Sequence, residues 1–359
     1  MLVNIRNNYK GFLYFSTIFY IFATEFKPVY LILILVILFG LIYGKYIITK
    51  FYFITAFVFI SFLIMSIFIK ESDIGMVFNA ILSILVFPVL YYMCKNSNLK
   101  EYKIFLQYSI LYLSLEAFWR VTHPVYWKNG VEVLSNDEVW IYPYKMSSLM
   151  FLDSNFVALH IYCLLVVSLF LKLRSYTVVL FILILLTFSR SAIIGSILAI
   201  FLFFIYDSRY SKIIKPLGLI FLVSVLVWLA FNLAKFVDGS FLSKFYILET
   251  VSVYIKENFY FNDYLFGVGL ANTYKLIGIG GHNIGVILFF ETGIVGTIIY
   301  FIYFISTYRQ FYSYSKYNKK IISIFLLIFL LMGFSLGLYI FPVMILTIAI
   351  LTQDRSKYV

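Results

Sequence analysis

The 359 residues are 63% hydrophobic and 21% aromatic, and only 12% are charged. A soluble domain carries about 25% charged residues, so the composition excludes an ordinary soluble domain and points to an all-α polytopic membrane protein forming a single integral domain over residues 1–359. A net charge of +12 would suit nucleic acid, but the placement of the cations along the chain argues against that partner.

Residues 1–10 are polar with two cations, and the apolar run behind them lacks a small-residue cleavage site, so it reads as an anchor that is kept. Apolar runs near the length that crosses a ~30 Å hydrocarbon core recur at about 12–24, 29–44, 51–69, 74–93, 102–119, 154–171, 176–188, 191–206, 214–234, 284–307, 321–337 and 341–352, which predicts about twelve spans. With the N-terminus inside, the cytoplasmic segments hold eighteen of the 28 Lys and Arg but three of the 16 Asp and Glu. That asymmetry orients the chain, with both termini cytoplasmic, and the basic charge meets anionic lipid rather than nucleic acid. Cys94 and Cys163 fall in or beside different spans and read as small core residues, not as a disulfide or metal pair. No internal repeat of the inverted-transporter kind is visible.

Two outer loops, 121–153 and 235–283, exceed every other connection, and long loops are uncommon unless they work. Both lie on the outer face. The first follows Glu116 and Arg120, four apart at a helix end. It holds Trp127 and Trp140 with Tyr126, Tyr142 and Tyr144, rings suited either to the C–H faces of a sugar or to an interfacial aromatic belt. The chain re-enters the membrane through Lys145 to Asn155, with Asp153 or Ser154 as helix cap. Thr187-Phe-Ser-Arg190-Ser-Ala192 interrupts an apolar stretch too long for one untilted span and predicts a tight hairpin with Arg190 at its outer tip. A cation there is either paired or snorkelling.

In the second loop, 241–259 reads as a helix lying on the membrane. Phe241, Phe245, Leu248, Val251 and Ile255 form its apolar face, with Ser243, Thr250 and Glu257 opposite. Lys244 falls on the apolar side, where it either pairs with an anion or snorkels. After a glycine turn at Gly267-Val-Gly269, the segment Gly278-Ile-Gly-Gly-His282-Asn283 delivers a His-Asn pair to the mouth of an apolar helix. His282 suits a general base; the plainer reading has Asn283 capping the helix and His282 incidental. Glu291 is expected about 13 Å deeper, at 1.5 Å per residue, out of hydrogen-bonding reach of His282. His123, His160 and His282 show no metal-ligand spacing. Glu71-Ser-Asp73 is the one acidic pair that could serve a metal-using sugar transferase. There is no nucleotide-phosphate loop, so no cofactor and no metal are expected.

Leu-Thr-Phe-Ser-Arg-Ser-Ala, a long outer loop ending in Phe-Gly-Val-Gly, then His-Asn and Glu-Thr-Gly-Ile-Val-Gly in the next span resemble, in this order, the O-antigen polymerase and O-antigen ligase superfamily, over roughly residues 140–300. The resemblance implies a GT-C-like membrane fold. It also implies metal-independent, inverting glycosyl transfer from an undecaprenyl-pyrophosphate-linked glycan in lipopolysaccharide or other surface polysaccharide biosynthesis. By its motifs His282 is the base, Arg190 holds the pyrophosphate, Glu291 is the acidic residue of the following helix, and Asp153-Ser-Asn155 stands for the family's Asp-Pro-Asn without its proline. The family's loop arginine has no counterpart; Lys244 or Lys256 is nearest, and a lysine is a point charge where arginine is a fork. Arg120 and Lys145 complete the expected pyrophosphate cations, Asn283 supports the base, and Trp127 and Trp140 hold sugar.

The expected partners are undecaprenyl-pyrophosphate-linked oligosaccharide as donor and acceptor, membrane lipid, a chain-length regulator and a flippase. The expected location is the bacterial inner membrane, with the active face periplasmic. A polymerase of repeat units is favoured by a short chain rich in Phe and Tyr, 41 and 32 of them. The alternatives are a ligase that passes finished polymer to the lipid A core and, in a different class, a flippase for lipid-linked oligosaccharide.

Overall fold

The computed structural model describes residues 9–21, 27–128, 131–132, 142–151, 153–207, 216, 220, 224, 239–278, 280–281, 283–309, 316–334, 337 and 339–354. Among these the chain is helical apart from one two-residue strand pair, β1 (Trp127–Lys128) against β2 (Val131–Glu132), antiparallel. The first helices are α1 (Tyr9–Phe15), α2 (Pro28–Ile42), α3 (Lys50–Lys70), α4 (Ile74–Lys95) and α5 (Leu99–Thr122). Next come the one-turn α6 (Tyr142–Lys145), α7 (Ser154–Phe170), α8 (Arg174–Leu185) and α9 (Arg190–Asp207). The second long loop contains α10 (Gly239–Asn258), α11 (Phe261–Phe266) and α12 (Thr273–Ile277), and is followed by α13 (Gly293–Arg309), α14 (Lys316–Gly333) and α15 (Pro342–Leu351).

The helix starts are written in the sequence. Pro28 and Pro342 occupy first turns, where no N–H is needed. Asp73 and Asp153 accept from the N–H groups of Met76 and Asn155, and Asn98 and Glu101 form a reciprocal capping box. The first expected span, 12–24, is not one helix. It leaves α-geometry at Phe15, passes through a 3-10 turn at Ser16–Ile18, and Phe19 and Tyr20 are non-helical. Ser16 and Thr17 bond back to the carbonyls of Leu13 and Tyr14 at 2.6 and 2.7 Å, local bonds that compete with the helical ladder. The expected span 214–234 lies almost wholly outside the described residues.

Two helices form the centre. In α7 every residue from Val157 to Ser168 is buried, and in α15 every residue is. They pack on each other; α15 also meets α4, while α7 also meets α8 and α9. Around this centre α2, α3, α8 and α13 turn one face inward and an equally apolar face outward, exposing Leu35, Phe57, Phe68, Ile182 and Ile298 among others. Helices α3 and α4 are long and apolar enough to cross a membrane. Cys94 and Cys163 are buried free thiols, the small core residues expected.

The expected surface helix of the second loop is present as α10, but only part of its expected apolar face, Val251 and Ile255, turns inward. Ile247, Val251 and Tyr254 pack on Val286 and Phe290, whereas Phe245 is 56% exposed and Leu248 is also exposed. Apolar residues cover more than one face of this helix, and the inward one is that which meets the Phe290 ring.

The expected span 284–307 is interrupted. A π turn runs over Val286–Glu291, and Gly293, at φ +66°, restarts the chain as α13. In an unbroken α-helix the carbonyls of Phe290 and Glu291 would accept from N–H groups four residues on. Here they accept instead from Val268 at 3.0 Å and Gly269 at 2.9 Å. The approach is close: a Cβ on Gly293 would stand 2.4 Å from the Gly267 nitrogen, and one on Gly267, itself at φ +70°, would stand 2.3 Å from the Glu291 carbonyl oxygen. A Gly293→Ala protein meets the left-handed backbone cost of about 1–2 kcal/mol plus this clash. Its melting temperature in detergent is expected to fall by several degrees, with new protease cleavage in 259–281. Unchanged melting and cleavage would show that the break does not hold the loop.

Candidate functional site

At one end of the bundle the head of α7, the α8–α9 turn, the end of α5 and the second loop converge. Ser154 donates from Oγ to the Thr187 carbonyl at 2.8 Å, and Ser147 donates to the Arg120 carbonyl at 3.2 Å. The turn is the tight hairpin expected, with Phe188 in the left-handed region at φ +54°. Arg190 is exposed at the first position of α9.

Arg120 is a correction. It is 1% exposed, its Nε donates to both carboxylate oxygens of the fully buried Glu116 at 2.9 and 3.0 Å, and Nη1 donates to the Leu186 carbonyl at 2.8 Å. Its charge is neutralised inside the fold and clamps α5 to the α8–α9 turn, so it is not a cation open to a pyrophosphate. The i,i+4 spacing disclosed the pair; its burial became visible only with α8 in place.

Asp153 caps α7, its Oδ1 accepting from the Asn155 N–H at 2.8 Å and its Oδ2 from the Asn155 amide at 2.9 Å. The pair is locked onto the helix head. Lys244 reaches toward it from α10. Burial holds the Lys244 ammonium below the ordinary lysine range; the Asp153 charge pushes it back up and the Lys145 charge pushes it down. Charge effects of this kind need proximity, so Lys145, Asp153 and Lys244 share one neighbourhood, two cations to one anion.

The second loop is tied to the α3–α4 turn. Asp73 N–H donates to the Leu270 carbonyl at 2.9 Å, Leu270 N–H to Ser72 Oγ at 2.9 Å, and the Asn272 amide to the Lys70 carbonyl at 2.7 Å. Lys70 pairs with Asp263 at 2.6 Å. Burial raises the Asp263 carboxyl, but bonds from Lys70 and the Tyr260 N–H outweigh it and leave the pKa lowered. Glu71 and Asp73, the acidic pair, cap α3 and α4 respectively. Among the described residues no three His, Cys, Asp or Glu side chains gather as a metal site needs.

Glu291 is buried and accepts from the Ala271 N–H at 2.9 Å and from the Thr273 hydroxyl. Its Oε1 lies only 3.2 Å from where a Cβ on Gly281 would stand. The carboxylate therefore lies beside Gly281, the residue before His282; the expected separation from His282 falls on a residue outside the described ones. Two things bring it beside Gly281: the π turn, and the lean of helical side chains toward the N-terminus. His282 itself lies outside the described residues. Asn283 is buried and its Oδ1 accepts from the Gly285 N–H at 2.8 Å, the expected cap. Trp140 also lies outside the described residues, and the backbone of Trp127 forms β1.

Gly280, Gly281 and Glu291 line a cavity of about 410 Å³ together with Lys27, Asn79 and His160 and a set of aromatic rings. Sequence reading missed His160 as a site residue, weighing it only as a metal ligand. The available signal was an ionisable side chain inside an apolar run. A second, mainly apolar trough of about 580 Å³ lies between α3 and α13, with Lys70 and Asn262 among its lining residues.

No known protein family, curated protein or solved structure matches the chain.

The Arg120 correction has a measurable consequence. Arg120→Met leaves the Glu116 charge buried without its partner and is expected to cost about 3–5 kcal/mol. The Glu116→Leu/Arg120→Met double variant is expected to regain most of this, read as melting temperature in detergent. Equal loss in the single and double variants would show that the pair is not what the guanidinium stabilises.

Proposed function

We propose that the chain is a twelve-span, GT-C-like inner-membrane enzyme: a metal-independent, inverting polymerase that transfers an undecaprenyl-pyrophosphate-linked glycan onto a lipid-linked repeat unit at the periplasmic face. The observation that carries the reading is the convergence at one end of the bundle. Arg190 at the head of α9 and the Lys145–Asp153–Lys244 group at the head of α7 stand at the end where the glycine segment entering His282 lines a cavity beside Glu291.

The outward apolar faces of α2, α3, α8 and α13 support the membrane setting, because contiguous apolar patches of that extent are rare on monomers in water. The trough between α3 and α13 gives a polyprenyl tail a bed that ends at the level of the loop.

In this reading Arg190, Lys145 and Lys244 meet the charge that develops on the departing pyrophosphate. Arg120 drops out, because it is neutralised within the fold. His282 takes the proton of the attacking sugar hydroxyl as the new bond forms at the anomeric carbon. Glu291 holds the loop that presents His282 and does not itself act as the base.

Purified protein given lipid-linked repeat units in detergent is expected to lengthen glycan, where neither a gradient nor a second compartment exists. His282→Ala is expected to stop chain growth while the protein remains in the membrane fraction; normal growth would remove His282 as base. Glycan movement that needs sealed vesicles and forms no new bond would mark a flippase. In cells, gel analysis after deletion separates polymerase from ligase. Single-repeat caps follow loss of a polymerase, and free lipid-linked polymer follows loss of a ligase.

The pH dependence has a definite sign. A lysine with a lowered pKa loses its charge as pH rises, at a lower pH than an ordinary lysine. Chain growth is therefore expected to fall on the alkaline side before the ordinary lysine range, at about pH 10.4, is reached. Lys244→Arg, whose guanidinium stays charged, moves that alkaline limb upward. An unmoved limb in the pH–rate profile would mean that Lys244 does not meet the phosphates.

A further inference from the structure

His160 is buried in α7, and its ring is fixed. Nδ1 stands 2.8 Å from the Phe156 carbonyl oxygen one turn earlier. A carbonyl only accepts, so Nδ1 carries the hydrogen and Nε2 keeps its lone pair. Three rings hold the imidazole: Tyr20 edge-on at 5.4 Å, Phe151 at 4.9 Å and Phe341 at 4.6 Å. Nε2 is fully buried and has no hydrogen-bond partner among the described residues. Buried acceptors are nearly always met, and this ring cannot turn elsewhere without losing its Nδ1 bond.

The ring lines the cavity that also contains Glu291 and the Gly280-Gly281 approach to His282. Asn79 in the same wall is oriented from both sides, its Oδ1 accepting from the Tyr20 hydroxyl at 2.9 Å and its amide donating to the Ile340 carbonyl at 3.2 Å. A volume of about 410 Å³ falls within the range of small-ligand pockets.

The walls discriminate between ligand classes. An acyl or isoprenoid chain would leave Nε2 without a donor. Lys27 and Glu291 give the lining one charge of each sign, so no net field selects an ion. A neutral ligand rich in hydroxyl groups donates to Nε2, and its C–H faces lie on the aromatic rings.

We propose that this cavity is a carbohydrate subsite in which His160 Nε2 accepts a hydrogen bond from a sugar hydroxyl. Resting on the polymerase reading, the sugar is the acceptor, because the adjoining glycine segment leads into the base that must deprotonate it. The acceptor hydroxyl gives its proton to His282, its oxygen bonds the donor's anomeric carbon, and the bond from that carbon to the pyrophosphate breaks with the electron pair leaving on the pyrophosphate. His160 takes no proton; it is a positioning residue.

The test uses the full chain in detergent and a panel of methyl α- and β-pyranosides of glucose, galactose, mannose, rhamnose and N-acetylglucosamine. Saturation-transfer NMR is expected to show binding of at least one of them. In wild-type protein carrying 15N-histidine, the same glycoside is expected to shift the Nε2 resonance of His160. His160→Phe keeps the ring and removes the acceptor, so affinity is expected to fall roughly tenfold, with partial recovery in His160→Gln. In the chain-growth assay His160→Phe is expected to raise KM for the acceptor by a similar factor while kcat changes far less. Absence of pyranoside binding in the wild type, an unmoved Nε2 resonance, or equal affinity in His160→Phe overturns the proposal. His160-dependent pyranoside binding in a protein that never lengthens glycan leaves the sugar site standing and removes the polymerase reading. Chain growth that depends on His282, with pyranosides indifferent to His160, does the reverse.

Discussion

The carbonyls of Phe290 and Glu291 cannot be left open inside an apolar bundle. An unpaired backbone oxygen there loses its hydration and gains nothing, and irregular backbone at such depth persists only where protein covers it or a cavity adjoins it. The π turn and the left-handed Gly293 create this demand, and Val268 and Gly269 meet it with two successive N–H groups. Because the contact is backbone to backbone, Gly267 and Gly293 must both lack a side chain. The position of the whole second loop follows from that seam. Leu270 reaches the α3–α4 turn, Ala271 and Thr273 reach the Glu291 carboxylate, and Gly281 comes to rest beside it.

The charged groups at the same end divide by burial. Arg120 and Glu116 are sealed together on α5, a pair so desolvated that it adds little net stability, and the Arg120 bond to the Leu186 carbonyl ties that helix to α8. Lys70 and Asp263, partly exposed, tie α11 to the end of α3. Arg190 remains exposed at the head of α9, and Lys244 keeps two close charged neighbours of opposite sign. Sealed, half-buried and exposed charges therefore stand within one end of the bundle. Sequence spacing cannot sort them, because Glu116–Arg120 and an exposed i,i+4 pair read alike until the covering helix is known.

Much of the framework was legible because apolar length and capping chemistry are local. The helices α2 to α5 and α7 to α9 fall where hydropathy put them, and Asp153 and Asn283 cap as their side chains suggest. What escaped was set by contacts distant in sequence. Ser16 and Thr17 end α1 with bonds no hydropathy window registers. The inward face of α10 is the one that meets Phe290, in a helix whose apolar residues cover more than one face. The nearness of Glu291 to Gly281 arises from a π turn, and a straight 1.5 Å rise per residue overstates the separation. The side chains of Trp127 and Trp140 lie outside the described ones, while the rings that line the cavity, Tyr20, Phe151 and Phe341 among them, come from three separate stretches of chain.

The same separation explains why His160 was passed over. Several buried polar atoms in this bundle lack a partner, among them the hydroxyls of Ser109, Ser189 and Ser196. A serine hydroxyl on a helix can rotate to its own backbone carbonyl three or four residues back at little cost, so its vacancy implies nothing about ligands. An imidazole held by its Nδ1 bond and by three rings has no such freedom, and a lone pair can be met only by a donor brought to it. The irregular stretch lines the cavity with Ile287 and Glu291, and the buried α7 lines it with His160. The irregular helix and the buried histidine are thus two walls of one space.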